Sequence, residues 1–350
     1  MEITIGNRKV GQNHPPFILA EMSGNHNQSL DRALKIVEEA AKCGADGVKL
    51  QTYTADTMTL DVHDKEFFID DPKSLWKGMS LYQLYQKAYT PWEWHQPIYE
   101  KCKELGILCF STPFDSTAVD FLEELDSPAY KIASFENSDH ELIKKVSKTG
   151  KPIIISTGMA SLAEIAESVQ VAKDNGAQEL IILKCTTSYP ATPDKSNILT
   201  IPHMRELFNC QVGLSDHTMG VGVAVASVAL GATFIEKHFT LSRADGGVDA
   251  EFSLEPSELK ALCVESKRAW QGLGHIQYGS TGERESKFRE HRRSLYIAKD
   301  MKAGDILNHQ NLRAVRPGLG LPIKYLEAFI GKKVNQDLLK GTALSFDHIG

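Results

Sequence analysis

The chain has 350 residues, 42% hydrophobic and 24% charged, the balance of an ordinary globular protein. A formal net charge of -6 leaves no basic excess to displace counterions from phosphates, which argues against general nucleic-acid binding. Six scattered cysteines without a CxxC pair, an opening "MEITIGNRKV" interrupted by charge and Gly, and no apolar run long enough to span a bilayer predict a reduced, soluble, cytoplasmic protein without a membrane segment.

"EITI" and "RKVG" around Gly6-Asn7 predict a short hairpin. A repeating unit follows, in which a short apolar run precedes an amphipathic stretch. The strand candidates are 17–23, 47–53, 107–114, 129–135, 152–159, 180–187, 211–218 and 234–240. Helical pattern fills gaps between them at 29–44, 116–126 and 161–176, and a last helix is expected over about 256–272. Buried parallel strands read as continuous apolar runs, each needing a crossover helix. Eight such units predict an α/β fold, a (β/α)8 TIM barrel over residues 1–272. A doubly wound open sheet is the alternative, and it lacks a GxGxxG after the first strand. The segment 54–91 is a long insertion whose aromatic residues (Phe67, Phe68, Trp76, Tyr82, Tyr85) predict an ordered lid or binding loop. Residues 273–293, rich in Gly and charge, read as a linker. Residues 294–350 form a second domain, so small that it is marginal alone and is expected to lean on the barrel or a partner chain.

Functional side chains of a barrel sit at the C-terminal ends of its strands. Polar groups stand at all eight: Glu21; Lys49 and Gln51; Ser111 and Thr112; Lys131, Ser134 and Glu136; Ser156 and Thr157; Thr186, Thr187 and Tyr189; Ser215 and His217; Glu236 and His238. Strand ends are where polarity resumes in any case, which accounts for the Ser and Thr. It does not account for two lysines inside the apolar runs "GVKLQ" and "YKIAS", because an unpaired buried charge is costly. Either carboxylates such as Glu21, Glu136 and Glu236 meet them, or an anionic ligand does. The surrounding hydroxyls and amides favour the ligand. His217 and His238 fall at the ends of adjacent strands, about 4.8 Å apart, so their imidazoles can converge on a divalent metal with open positions. General acid–base use is the other reading. His26 lies in a Gly/Asn-rich turn and is expected to hydrogen-bond rather than ligate. Asp249 falls on a loop after the eighth strand, placed for a substrate hydroxyl or amide, or simply for a turn.

The ordered motifs "AEMSGNHNQSL", "GADGVKLQTY", "FSTPFD", "YKIASFE", "IISTGMA", "CTTSYP", "GLSDHT" and "EKHFT" resemble the sialic acid synthase family over almost the whole chain. "EMSGNHNQSL" and "LQTYTADTMTLD" look most like its pseudaminic acid synthase branch, and 294–350 resembles its antifreeze-like SAF domain. The resemblance implies a C–C bond-forming transferase that condenses phosphoenolpyruvate with an open-chain N-acyl amino sugar. For this branch the acceptor is a 2,4-diacetamido-2,4,6-trideoxy hexose of L-altrose type and the product pseudaminic acid, used on surface polysaccharide or flagellin. It implies that Lys49, Thr112, Lys131, Ser134, Ser156 and Ser215 bind phosphoenolpyruvate. His217 and His238 would hold Mn²⁺ or Mg²⁺, with Co²⁺ a further candidate. Glu21, Gln51, Thr187, Tyr189 and Asp249 would face the sugar, and Arg316 would reach it from the swapped SAF domain of a homodimer partner. Glu136, or Glu21 in its place, would serve as the catalytic carboxylate. Thr187 stands where the sialic branch is expected to carry Asn, which bears on the acceptor and leaves N-acetylneuraminate or legionaminate synthesis as alternatives. A non-catalytic carbohydrate-binding or ice-binding module would not need both lysines and both histidines.

Overall fold

The computed structural model describes residues 2–72 and 74–350; Met1 and Lys73, the latter inside the expected lid, lie outside them. Its contacts group into two units, Met1–Gly274 and His275–Gly350.

The first unit opens with an antiparallel hairpin, β1 (Ile3–Ile5) and β2 (Arg8–Val10), with Ile3 opposite Val10. Eight strands follow: β3 (Phe17–Glu21), β4 (Gly47–Thr52), β5 (Leu108–Pro113), β6 (Tyr130–Ile132), β7 (Ile153–Ser156), β8 (Leu180–Cys185), β9 (Gln211–Ser215) and β10 (Phe234–His238). All pair in parallel in chain order, and β10 returns to β3, so the sheet closes into a barrel without a free edge. Helices α1 (Leu30–Cys43), α2 (Ala55–Met58), α3 (Leu81–Ala88), α4 (His95–Glu104), α5 (Ser116–Glu124), α6 (His140–Ser147), α7 (Leu162–Asp174), α8 (Thr200–Phe208), α9 (Gly222–Ala229) and α10 (Pro256–Leu273) occupy the connections. Local chemistry sets their ends. Ser29 accepts a bond from the Arg32 amide to start α1, and Gly44, at φ 91°, takes the left-handed turn that stops it. Ser161 and Glu164 form a reciprocal capping box on α7. Each strand stops one to three residues short of its sequence-predicted end. Those residues fold into turns at the barrel mouth, among them the 3-10 turns Ser23–His26 and Ser134–Glu136.

Strand alternation divides the core in two. Phe17, Leu19, Phe110, Ile154, Ile181, Leu183 and Phe234 fill the barrel interior, and the hairpin residues Ile3, Ile5 and Val10 pack into the same cluster. Ile18, Ala20, Val48, Leu50, Ile182, Val212 and Ile235 face outward to the helices. Two-residue periodicity carries the interior series upward to polar side chains: from Phe17 and Leu19 to Glu21, from Gly47 to Lys49, from Phe234 to Glu236 and His238.

The expected lid is ordered in its described residues. A bridge between Phe68 and Ser80 closes it, and Ser80 with Gln83 caps α3. The second unit contains α11 (Glu283–Lys287), so the segment read as linker carries a helical turn. It also holds an antiparallel pair, β11 (Ser294–Ile297) and β12 (Leu312–Val315), with Ser294 opposite Val315. After the short α12 (Leu326–Phe329), isolated bridges such as Met301–Leu338 and Val334–Ile349 complete it around its own core of Leu295, Leu307, Leu312 and Leu344. Among the described residues no helix is long and apolar enough to cross a membrane.

Gly213 on β9 has no room for a side chain. A Cβ there would overlap the Phe234 carbonyl oxygen and lie 2.7 Å from Leu183 Cδ2. Backbone cannot yield as a flexible side chain does, so Gly213→Ala should destabilise by about 3 kcal/mol. Urea unfolding checks this; a midpoint equal to that of the wild type would contradict it.

Candidate active site

A cavity of about 420 Å³ opens at the C-terminal end of the barrel strands. At its floor Lys49 Nζ lies 2.8 Å from Glu21 Oε2 and 2.9 Å from Thr112 Oγ1. Glu236 Oε1 stands 3.7 Å from Lys49 Nζ and 3.5 Å from Lys131 Nζ, so one carboxylate serves both ammonium groups. The two lysines and Glu236 are at most 4% exposed. The charges do not divide evenly. Burial opposes ionisation of Glu236, yet Lys131 and Lys49 hold it below the ordinary carboxylate range. Burial raises Glu21 to about 7 against the pull of Lys49, and it raises Glu136 to about 7 against Lys131. Burial also lowers Lys131, while in Lys49 Glu21 and Glu236 outweigh it. Of the three glutamates around the lysines, one is thus firmly ionised and two are poised near neutrality, the arrangement expected where protons move.

Above the floor, Gln51 Nε2 donates to Glu21 Oε1 at 2.9 Å and to Ser23 Oγ at 3.2 Å, and Ser23 donates a short bond to Asp249 Oδ2. His217 and His238 converge with ring centroids 5.3 Å apart. His217 Nδ1 lies 2.9 Å from the Thr186 carbonyl oxygen, which makes it the donor, so the lone pair of the neutral ring is on Nε2. Burial opposes protonation of this ring, and Cys185 and the Thr186 carbonyl outweigh it and raise it above the ordinary imidazole value. His238 Nδ1 is buried without a hydrogen-bond partner, 3.6 Å from Asp249 Oδ2. Burial, and then the nearby His217 and lysines, push His238 far below the ordinary imidazole value, so it is neutral. Among the described residues no cluster of three or more His, Cys, Asp or Glu is arranged as a metal site. Two converging imidazoles, one oriented by a carbonyl and the other with an unpartnered nitrogen, fit a divalent ion whose other positions belong to water and substrate. The lid supplies the apolar wall: Met58, Ile69, Trp76, Leu84 and Tyr85 line the cavity.

Residues 36–278 match the NeuB family, and residues 292–350 match the SAF domain. The chain is 42% identical to a pseudaminic acid synthase of Campylobacter jejuni, over 94% of this chain and 95% of that one. It is 39% identical to a pseudaminic acid synthase of Helicobacter pylori, over 96% and 98%. This chain belongs to the NeuB family. Its fold resembles that of a solved N-acetylneuraminic acid synthetase from Leptospira borgpetersenii, crystallised with citrate, at a TM-score of 0.73 and 32% identity, covering 82% of this chain and 95% of that one.

Within this NeuB-family site the structure brings together Glu21, Lys49, Gln51, Lys131, Ser134, Glu136, Ser156, Tyr189, Ser215, His217, Glu236, His238 and Asp249. Thr112 reaches it through Lys49. Ser156 Oγ and Glu136 Oε2 are buried without a partner. Thr187 Oγ1, also buried and unpartnered, packs over Gly158, the residue whose amide bonds Ser134 Oγ. His217 lies two residues beyond β9 rather than on it. His26 accepts the Gln28 amide at Nδ1, 3.2 Å away, and stands edge-on to Trp94; burial keeps it neutral, at about 4. Arg316 is in the second unit, after β12. The sequence favours a ligand over carboxylates as the partner of the lysines. In the structure carboxylates meet them, Glu21 and Glu236 of the three candidates named, and Glu236 is the one to which sequence reading gave no catalytic or binding role. Its signal is its spacing of two from His238. Cys185, which also lines the cavity, carries the same parity signal on β8.

With its carboxyl raised from 4.5 to about 7, Glu136 costs the fold stability as pH climbs through that interval: the unfolded chain ionises first. Glu136→Gln removes this penalty. Its melting temperature should match the wild type near pH 4.5 and exceed it by several degrees at about pH 8. Calorimetric scans at both pH values check it; a constant difference would contradict it.

Proposed function

We propose that this chain condenses phosphoenolpyruvate with an open-chain 2,4-diacetamido-2,4,6-trideoxy hexose of L-altrose type and water, releasing pseudaminic acid and phosphate. It is thus a phosphoenolpyruvate-dependent, C–C bond-forming synthase. The observation that carries this reading is the cavity's division into a cationic, hydroxyl-lined floor and an apolar wall, within a chain similar to pseudaminic acid synthases over nearly its full length.

Phosphoenolpyruvate is a multiply charged anion. Lys49 and Lys131, at the floor, would take its carboxylate and phosphate with Thr112, Ser134, Ser156 and Ser215; the free Ser156 Oγ is an unspent donor. Gln51, Thr187, Tyr189 and Asp249 would hold the sugar. His217 and His238 would hold Mn²⁺ or Mg²⁺, which when bound polarises the acceptor aldehyde. The enol carbon attacks that aldehyde and leaves positive charge on the carbon bearing phosphate. Water adds there, and phosphate departs with C–O cleavage. Glu136, unpartnered at Oε2, would stabilise that cation or take the proton of the water; Glu21, bonded to Lys49 and Gln51, is the alternative. The lid wall would exclude bulk water and pack the 6-methyl and acetamido methyls. Arg316 would act from the SAF domain of a partner chain, making a homodimer the working unit, and the six unpaired cysteines suit the cytoplasm.

Phosphate release tests the reading. The altro-configured acceptor should turn over faster than N-acetylmannosamine or the manno-configured diacetamido sugar, by about 10–200-fold for each small group that the wall discriminates. Faster turnover of N-acetylmannosamine would overturn the acceptor assignment. Lys131→Met should weaken phosphoenolpyruvate binding by about 1.5–3 kcal/mol, roughly 10–150-fold; unchanged affinity by calorimetry would make the lysine purely structural. For the dimer, inactive Arg316→Ala and His217→Ala chains are refolded together. Regained activity indicates a site completed by the partner, since only a swapped domain gathers both lesions in one site and leaves the other intact. A dead mixture indicates no swap.

A further inference from the structure

Behind the two imidazoles, on the outer side of the barrel wall, lies a buried ion pair that the proposed reaction does not use. Lys237 Nζ donates to Asp216 Oδ2 at 2.8 Å and to the Thr218 carbonyl at 2.6 Å. Both side chains are almost fully buried, and both belong to the outward series of their strands. Asp216 also accepts from the Thr218 amide at Oδ1, 3.0 Å, and from the Thr218 hydroxyl at Oδ2, 3.1 Å. Its carboxylate therefore fixes the turn 216–218, and His217 is the middle residue of that turn.

The pair's place in the sheet gives it a task. Pairing of β9 with β10 ends at Ser215 opposite Glu236, and the last backbone bond between them runs from the Asp216 amide to the Glu236 carbonyl. His238 is held by the other neighbour: it stands opposite Glu21 of β3, and the Phe239 amide bonds the Glu21 carbonyl. His217 has no such ladder toward β10. Beyond the Asp216 amide bond, Lys237 ties the turn bearing His217 to the strand bearing His238, through Asp216 and the Thr218 carbonyl. From the β8 side the turn is held by the Ala191 amide, which bonds the His217 carbonyl, and by the Thr186 carbonyl, which accepts from the His217 ring. A buried ion pair is a poor source of net stability, since desolvation offsets most of its attraction. Its geometric effect is larger, because it sets one imidazole relative to the other.

We infer that Asp216 and Lys237 are positioning residues: together they fix the separation and mutual aim of His217 and His238, and through it the affinity of that pair for a divalent cation. The inference rests on the reading of the two histidines as cation ligands. Groups hydrogen-bonded directly to metal-ligating side chains alter metal affinity by roughly 10–100-fold. The pair touches neither ring and acts through the turn, so the low end of that range is expected. Glu236 is also held by its ladder to β3, and Lys131 by its ladder to β7, so the phosphoenolpyruvate floor depends on the pair less than the two imidazoles do.

Mn²⁺ is titrated into the full-length protein, with the free ion read from its paramagnetic resonance, and phosphoenolpyruvate affinity is measured by calorimetry without metal. Asp216→Asn with Lys237→Met leaves no uncompensated charge. The double variant should bind Mn²⁺ roughly tenfold more weakly, with a clearly smaller loss for phosphoenolpyruvate. Unchanged Mn²⁺ affinity, or an equal loss in both, overturns the inference. If the double variant does not fold, Thr218→Val decides: it keeps the ion pair, loses one bond to Asp216, and should weaken Mn²⁺ by about fivefold, whereas no change overturns the inference. A wild type that binds Mn²⁺ no better than His217→Ala/His238→Ala removes the cation-ligand reading itself. Tight wild-type binding with unaffected variants removes only the positioning role.

Discussion

Everything at the barrel mouth depends on the two-residue alternation of eight parallel strands closed into one sheet. Closure removes the choice of face. Once Phe17, Leu19 and Phe234 fill the interior, Glu21, Glu236 and His238 must point along the same axis. Phe17 and Phe234 stack 4.9 Å apart at the base, and within two to four residues up their strands the same series reach Glu21, Glu236 and His238. The apolar lower layers keep water out, and the hairpin of β1 and β2 adds Ile3, Ile5 and Val10 to the same cluster. A core built this way delivers charge to one end only.

That end is a desolvated electrostatic cluster rather than a solvated pocket rim. Glu236 is shared by two ammonium groups, and Glu21, the second partner of Lys49, is raised by burial to about 7, so the floor keeps cationic character wherever Glu21 holds its proton. Glu21 and Glu136, pushed by burial to about 7, can change protonation at little cost near neutral pH. The orphaned oxygens of Ser156 and Glu136 carry a desolvation penalty in the free protein. A ligand that accepts from the Ser156 hydroxyl, or donates to the Glu136 oxygen, recovers it.

The lid is tied to the same machinery. Trp76 Nε1 donates to the Val248 carbonyl at 2.8 Å, beside Asp249, which in turn accepts from Ser23. Lid, loop and strand end thus form one connected chain of contacts above the floor. His95, at the start of α4, bonds Thr52 at the end of β4 at 2.8 Å. Burial holds that imidazole neutral, at about 4, so the base of the lid keeps its bonding pattern across ordinary pH.

Much of this was legible without coordinates. Eight apolar runs separated by helical pattern specify a barrel, because parallel strands need crossovers and β-branched runs of that length bury on both faces. Parity along each run places Lys49, Gln51, Glu236 and His238 on its inner side. The sequence also shows two lysines too deep in apolar runs to be solvated, and so requires counter-charges. It cannot say which carboxylates supply them, since Glu21 and Glu236 lie over 200 positions apart and meet only because β10 returns to β3. For the same reason it cannot pair Asp216 with Lys237, or show that Glu236 rather than Glu21 stays ionised. Alternation is a local property of the chain, fixed by each strand's own residues. Partnership and protonation depend on distance and solvent exclusion, and those exist only once the barrel has closed.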